Sequence, residues 1–397
     1  MVVKKSPAPG APETPGKPLT AQERLARMMK DGSAIAKLRE KYDTVVQPAS
    51  QVVSVVPRIL TGAFPFDLAM GGGVPGGVIH HWFGPKYAGK TVTACLTAAA
   101  VQRLCTNCYQ SFSETCCPAP RQGLAAFIDV EGALDLAWAK RLGVDTENLA
   151  YSKPGSGEEA ADTMDIYLTG GEVDLVVLDS IAALAPRAEQ NKAADEAVVG
   201  EQARIVHRMM RKSVSALNAA GNMNGGKGRR PTIIFLNQVR YKVGVMFGNP
   251  ETTAGGTGPA YTASTEVRFR SPKHQKVTAD TKTPEGASAL IDSPVFVEVN
   301  FTIEKNKTFA AKGIEGDFRV MQRDTLDKRL GEVYDEHHLV ARAIDAGLIE
   351  GAGNSWTCLG KQFRGKGVIE QELVKDKKLK ADLRDAVIKV LTSIVGG

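Results

Sequence analysis

Short, almost wholly apolar runs recur along the middle of the chain: GVIHHWF, LAAFIDV, VDLVVLD and PTIIFLNQV. Runs of this length that do not alternate with polar residues predict strands buried on both faces. Longer segments with apolar residues three and four apart lie between them, such as KTVTACLTAAAVQRL and EQARIVHRMMRKSVSALNAA, and predict helices. Strand–helix alternation predicts an α/β fold with a mostly parallel sheet covered on both faces. This core spans residues 51–327. Ahead of it, LTAQERLARMMKDGSAIAKLREKY sets Leu25, Met28, Met29, Ile35 and Leu38 at helical spacing, and Thr20 with Glu23 has the spacing of a capping box. The segment 20–50 therefore predicts an N-terminal helix that packs on its own core or on a neighbouring subunit. Residues 1–19 are rich in Pro, Ala, Gly and Lys and are expected to form a disordered tail, since they have little apolar surface to offset their ordering entropy. Past the core, DEHHLVARAIDAGLI and KADLRDAVIKVLTSIV predict helices of a small α+β C-terminal domain, 328–397, on either side of the basic GKQFRGKG.

Composition narrows the class without naming a chemistry. The chain has 397 residues, 43% hydrophobic and 24% charged, enough for a large core and two or three domains. The formal net charge of +6 is compatible with a nucleic-acid partner and does not require one. No apolar run reaches the roughly 18 residues of a membrane helix. The opening MVVKKSPAPGAPETPGKP lacks a signal-peptide core. The expectation is a soluble, cytoplasmic protein without a membrane partner, whose clustered cysteines are reduced or metal-bound.

GPKYAGKT, from Gly84 to Thr91, fits the phosphate-loop pattern G-x-x-x-x-G-K-[ST], and it follows a strand run and opens a helix run. Gly84, Pro85, Lys86, Tyr87, Ala88 and Gly89 supply a loop whose backbone N–H groups close around phosphate oxygens. Lys90, Thr91 and Val92 open a helix whose N-terminus adds positive charge. Lys90 is placed to reach the β- and γ-phosphates of ATP, and the Thr91 hydroxyl to ligate Mg²⁺. VDLVVLDS ends a strand in Asp179, the expected second Mg²⁺ carboxylate site. FIDVEGALD leads a strand to Asp129 and Glu131, where a carboxylate could activate water on the γ-phosphate; a solvated acidic turn is the plainer alternative. NQVRYKVGVMFGNPETTAGG, Asn237 to Gly256, ends a strand in Gln238 and continues as a long loop. That loop carries Arg240 and Lys242 for phosphates, apolar Val243 and Phe247 for bases, and the close-approach glycines Gly255 and Gly256, a set suited to a single-stranded nucleic acid. Gln238 would link the loop to the γ-phosphate.

Here the sequence closely resembles the bacterial strand-exchange recombinase (RecA) family. GVMFGNPETTAGG is the most specific match. GPKYAGKT, FIDVEGALD, LGVDTENL, VDLVVLDSIAALAP, FLNQVR and EKNK follow the family's order, and the resemblance covers about residues 55–375. It implies a RecA-like P-loop ATPase core and an ATP-dependent, DNA-stimulated recombinase. Such a protein forms helical filaments of itself on single-stranded DNA, pairs with homologous double-stranded DNA, and is tied to repair and the SOS response. The resemblance also implies that Glu131 is the catalytic carboxylate, that Lys90, Thr91 and Asp179 hold ATP and Mg²⁺, and that Gln238 senses the γ-phosphate. Asp135 and Trp138 fall where the family contacts adenine. Lys305 and Lys307, in EKNK, match lysines donated to a neighbour's ATP. Val199 takes the place of an apolar wedge between bases, and Arg204 and Arg211 that of phosphate-contacting arginines. The chain departs from the family at Lys86 and Tyr87, where an acid and a Ser are usual, and at Ala260 and Tyr261, where Lys and Phe form a subunit contact. A RecA-core motor, such as a ring helicase or branch-migration ATPase, is the alternative from another class, and a P-loop kinase a third.

LCTNCYQSFSETCCPAPRQG intervenes where the family runs directly from the phosphate-loop helix to the FIDVEGALD strand. Cys105 and Cys108 have metal-ligand spacing, and Cys116 and Cys117 follow, so the insertion 105–117 reads foremost as a four-thiolate Zn²⁺ knuckle. A redox-active C-x-x-C and a surface loop with spare thiols are the other readings. The adjacency of Cys116 and Cys117 is awkward for one ion. Cys95 and Cys358 are expected in the packing, and His80–His81 as structural.

Overall fold

The computed structural model describes residues 20–30, 56–190, 200–226, 228–241, 251–271, 296–309, 312–324 and 328–395, with a few shorter stretches. The chain forms two compact units, residues 1–54 with 222–228, and residues 55–221 with 229–397. In the first, helix α1 (Ala21–Met28) starts on the capping box that the sequence predicts. The Glu23 amide donates to Thr20 Oγ1 at 3.2 Å, and the Glu23 carboxylate accepts the Thr20 amide at 2.7 Å. This helix ends at Met28, eight residues long, so it fills only the start of the 20–50 span.

The second unit is built on one large sheet. Its strands, in chain order, are β1 (Ile79–Gly84), β2 (Ala125–Asp129), β3 (Leu149–Ser152), β4 (Leu175–Asp179), β5 (Thr232–Tyr241), β6 (Glu251–Thr253), β7 (Thr265–Arg270), β8 (Phe296–Asn306), β9 (Ile314–Met321) and β10 (Val333–Tyr334). They lie in the order β10-β9-β8-β7-β1-β5-β4-β2-β3, with β6 paired to β5. The stretch from β7 to β3 is parallel throughout, and β8, β9 and β10 extend it antiparallel. The four apolar runs noted in the sequence are β1, β2, β4 and β5.

Their side chains explain the unbroken apolarity. Leu175, Val177, Ile234 and Leu236 pack on one face with Ala94, Leu96 and Ala98 of helix α3 (Lys90–Gln102). Val176, Leu178, Ile233 and Phe235 pack on the other with Ala160 and Met164 of helix α4 (Gly157–Thr169) and Val206 and Met209 of helix α5 (Glu201–Gly226). A strand with helices on both faces has no wet side, so it needs no polar alternation. The antiparallel extension is seated on aromatic contacts: the ring of Phe66, in helix α2 (Phe64–Ala69), meets Trp82 edge-on at 5.6 Å and Phe301 edge-on at 5.1 Å.

The C-terminal part has its own small core. Leu339 and Val340 of helix α6 (Glu336–Asp345) meet Ile369 and Leu373 of α7 (Lys366–Lys375) and Leu383 and Val387 of α8 (Lys377–Val395). Between α6 and α7 runs a three-stranded antiparallel sheet, Ile349–Ala352, Ser355–Cys358 and Lys361–Phe363, so the segment GKQFRGKG contributes an edge strand. Phe64, far ahead in the chain but in the same unit, enters this core, and its amide donates to Asp335 Oδ2 at 2.7 Å. Cys358 is buried there and Cys95 in α3, both as packing residues, and burial pushes the Cys95 thiol up to about 12. Among the described residues no helix is long and apolar enough to cross a membrane.

The His80 pair of bonds gives a pH prediction. His80 is fully buried, with Nδ1 at 2.6 Å from Thr265 Oγ1 and Nε2 at 2.8 Å from the Pro75 carbonyl. A carbonyl only accepts, so Nε2 carries the proton and the neutral ring accepts from Thr265 at Nδ1. Burial lowers His80 from 6.5 to about 4. Between those values the unfolded chain takes up a proton that the folded core refuses, so stability falls as pH falls through that window. The loss is about 3 kcal/mol at 1.36 kcal/mol per unit. Buried Asp67, raised to about 6, acts with the opposite sign, so the measurement is a difference. Denaturant unfolding of wild type and His80→Gln should show a shallower acid loss in the variant; parallel curves from pH 7 to 4 would overturn the assignment.

Candidate nucleotide and DNA site

Sheet register assembles the site. In the parallel pairing Gly84 stands opposite Gln238, and Asp129 opposite Asp179. The phosphate loop, the acidic turn and the start of the long loop thus share the carboxyl edge of the strands, where open α/β sheets bind ligands. Gly84 has no room for a side chain, since a Cβ there would lie 2.3 Å from the Phe269 carbonyl oxygen. Gly89 turns the chain at φ 91° directly before α3, and a Cβ there would strike Val299. Ala88 is buried, whereas Tyr87 projects, 84% exposed, with Lys86 Nζ 5.3 Å from its ring centre.

Lys90 is only 8% exposed and donates to the carbonyls of Gly84 and Pro85 at 3.1 and 2.7 Å. Burial lowers its ammonium below the ordinary lysine value, against the pull of Asp179 and Glu131. Thr91 Oγ1 donates to Asp179 Oδ2 at 2.7 Å, so the two residues expected to share Mg²⁺ are already in contact. Burial, aided by the charges of Glu131 and Asp129, pushes Asp179 up to about 6, against the Thr91 bond and Lys90. A cation at this point would meet a desolvated carboxylate that lacks a full counter-charge, and the hard oxygen donors of Thr91 and Asp179 fit Mg²⁺.

The two carboxylates of FIDVEGALD separate by role. Asp129 is buried and accepts from the amides of Ala133 and Leu134 at 3.2 and 3.0 Å and from the Tyr151 hydroxyl at 2.9 Å. Its oxygens are committed to shaping the turn. Glu131 is exposed, and its Oε1 accepts from Ser180 Oγ and, at 2.8 Å, from Gln238 Nε2. Only Glu131 is free to meet a water. Ser180 and Asn237 were not singled out in the sequence. Asn237 Nδ2 donates to the Ala254 carbonyl at 3.0 Å and lies 3.2 Å from His81 Nε2, which ties β5 to the returning end of the long loop. His81 in turn lies 3.1 Å from Glu266, so both histidines are structural.

A family model for the RecA N-terminal domain matches residues 32–293. Protein RecA of Caulobacter vibrioides is 34% identical over 84% of this chain and 81% of its own length. Protein RecA of Rubrobacter xylanophilus is 32% identical over 92% of each. The chain belongs to the RecA family. A crystal structure of the RadB recombinase superposes with TM-score 0.43 at 18% identity, covering 67% of this chain and 97% of that one.

The segments expected from the sequence to contact DNA are only partly within the described residues. Val199, Lys242, Val243 and Phe247 lie outside them. The long loop rises from a hairpin in which Arg240 of β5 pairs with Thr252 of β6. Gly255 and Gly256 both have positive φ, and Gly255 is fixed by the fold, because a Cβ would meet Val206 and Ile181. Arg204 and Arg211 are exposed on α5, and Arg208 is exposed between them. The i, i+4, i+7 spacing puts all three on one helix face, a signal present in the sequence that identifies Arg208 as a third cation.

Asp135 caps a short helix, Leu136–Arg141, by accepting from the amides of Ala137 and Trp138 at 2.9 and 3.0 Å. Asp135, Trp138, Arg141 and Arg323 line a cavity of about 520 Å³. Among the described residues the guanidinium nitrogens of Arg323 are buried without a hydrogen-bond partner, and nothing in the sequence marked this residue. Lys305 Nζ donates to the Ala260 carbonyl at 2.6 Å and Lys307 is exposed, so neither is joined to the phosphate loop of the same chain by a hydrogen bond. The Lys305 contact falls on the departure Ala260–Tyr261, with Tyr261 78% exposed.

The four inserted cysteines converge. Their sulfurs all lie within 4.8 Å of one another, with Cys105–Cys117 and Cys108–Cys116 each at 3.7 Å. Burial raises the Cys105 thiol, but amides of Arg121, Cys108 and Asn107 outweigh it and bring Cys105 down to about 6. Burial and contact with Cys105 push the Cys117 thiol up.

Proposed function

We propose that this chain is an ATP-dependent homologous recombinase that forms helical filaments on single-stranded DNA, pairs with homologous duplex and exchanges strands in recombination and repair. The bond from Gln238 Nε2 to Glu131 Oε1 carries the proposal. Gln238 sits at the root of the long DNA-loop candidate, and Glu131 is an exposed carboxylate beside the phosphate loop. A γ-phosphate competes for the Gln238 amide, which draws the loop root toward the nucleotide and frees Glu131 Oε1 to accept a proton from the attacking water. Nucleotide state and DNA grip thereby share one side chain.

ATP would lie along Gly84–Val92, with Lys90 reaching its phosphates and its base between Asp135 and Trp138. Mg²⁺ held by Thr91 and Asp179 would neutralise phosphate charge. Lys305 and Lys307 would serve the ATP of the next subunit in the filament. Arg204, Arg211, Arg240 and the long loop would hold single-stranded DNA, and residues 328–397 would act as a DNA-binding domain. Zn²⁺ is the ion for Cys105, Cys108, Cys116 and Cys117, since soft thiolates select it. The protein would work in the cytoplasm and have a part in the SOS response.

Electron microscopy of the full chain with single-stranded DNA and a non-hydrolysable ATP analogue tests this directly. The expected result is long helical filaments that need both ligands. Closed rings would favour a motor of the same core, and monomers alone would sink the proposal.

A further inference from the structure

The insertion carrying the cysteines has almost no core. Within 105–117 only Cys105 and Thr106 are buried among the described residues, so the strand-like bridges Leu104–Ser111 and Cys105–Gln122 have little apolar packing behind them. Thiolates around Zn²⁺ at about 2.3 Å would sit on a tetrahedron with edges of about 3.8 Å. The two 3.7 Å pairs match that edge, and no pair approaches the roughly 2.05 Å of a disulfide. The adjacency of Cys116 and Cys117 is resolved because each faces a different member of the C-x-x-C: Cys117 meets Cys105, and Cys116 meets Cys108. Four sulfurs leave no open position, which is the arrangement of a structural site and not of a catalytic one.

What the site holds is visible from Arg121. Its amide donates to Cys105 Sγ at 3.4 Å, and its Nη1 donates to both carboxylate oxygens of Asp174 at 2.9 Å. The Asp174 side chain is only 5% exposed and also receives Arg229 Nε at 2.8 Å and the Leu124 amide at 2.9 Å. The Asp174 backbone donates to Leu124 and accepts from Thr232, at 2.8 and 2.7 Å. Leu124, Asp174 and Thr232 stand at the amino ends of β2, β4 and β5, the sheet edge opposite the nucleotide loop.

We propose that the four cysteines form a closed zinc site whose task is to hold Arg121 on Asp174, clamping the amino ends of β2, β4 and β5. The clamp rests on the zinc reading of the cysteines. Each cysteine would ligate as the thiolate and release its proton to solvent as the metal binds, so occupancy organises the insertion at the moment of folding. Arg121 is a positioning residue in this scheme and touches no nucleotide.

The experiment uses the full chain, with zinc content by elemental analysis and amide hydrogen exchange as readouts. One zinc per chain is expected. Its removal by a chelator should speed exchange at Leu124, Asp174 and Thr232 by about tenfold and leave β1 unchanged. Arg121→Met should reproduce that local acceleration while retaining zinc, which keeps the test open if cysteine variants fail to fold. Absence of stoichiometric zinc overturns the metal reading and the clamp together. Zinc present, with exchange at the three amides indifferent to chelation and to Arg121→Met, overturns the clamp alone.

Discussion

Glu131→Gln is expected to lower ATP turnover by about 10²- to 10⁴-fold, the usual worth of a positioned general base, while leaving nucleotide binding intact. The carboxylate is exposed, and its contacts are with Ser180 and Gln238 and not with the turn that carries it. An amide of the same shape still offers an oxygen to Gln238 but cannot take a proton from water. On the proposed function, filaments assembled with ATP should therefore persist instead of turning over. Asp129→Asn is the control. That side chain accepts two amides and the Tyr151 hydroxyl, so its loss should appear as about 1–3 kcal/mol of stability. Steady-state ATPase and thermal unfolding of both variants decide the matter. If Asp129→Asn abolishes turnover at full stability and Glu131→Gln does not, the roles of the two carboxylates are reversed.

Lys90→Ala should show the complementary pattern, with nucleotide affinity reduced on the order of 100-fold and the ligand-free fold nearly unchanged. A buried ammonium on phosphate makes charge-assisted bonds worth about 1.5–3 kcal/mol each. In the free protein the same ammonium spends its protons on the Gly84 and Pro85 carbonyls. Burial already works against its charge, so removing it trades two lost bonds against a relieved desolvation cost. A fluorescent-nucleotide titration beside a denaturant melt separates these terms. Wild-type affinity in Lys90→Ala would show that the loop binds by its backbone alone.

Much of the core was legible because its signals are local. β1, β2, β4 and β5 are buried on both faces and so read as apolar runs. The phosphate loop reads from its glycines and its place between strand and helix, and the Thr20–Glu23 box reads from spacing alone. The antiparallel β8 and β9 escaped notice, since their pairing is decided by contacts such as Phe66 on Phe301, which couple residues far apart in the chain. Arg323 escaped for a related reason: a lone arginine carries no pattern, and only its burial without a partner among the described residues draws attention to it.

The sequence by itself determined the family, the α/β core, the phosphate loop and the inventory of carboxylates and thiols, because each depends on residue type at short spacing. Tertiary structure decided what no spacing can express. Register set Asp129 opposite Asp179 and Gly84 opposite Gln238, which spent one carboxylate on a turn and left Glu131 beside Gln238. Chain folding also set Cys116 against Cys108 and Cys117 against Cys105, and brought Arg121 onto Asp174. Such pairings depend on distance in space, and hydrogen bonds and metal shells form only over a few ångströms.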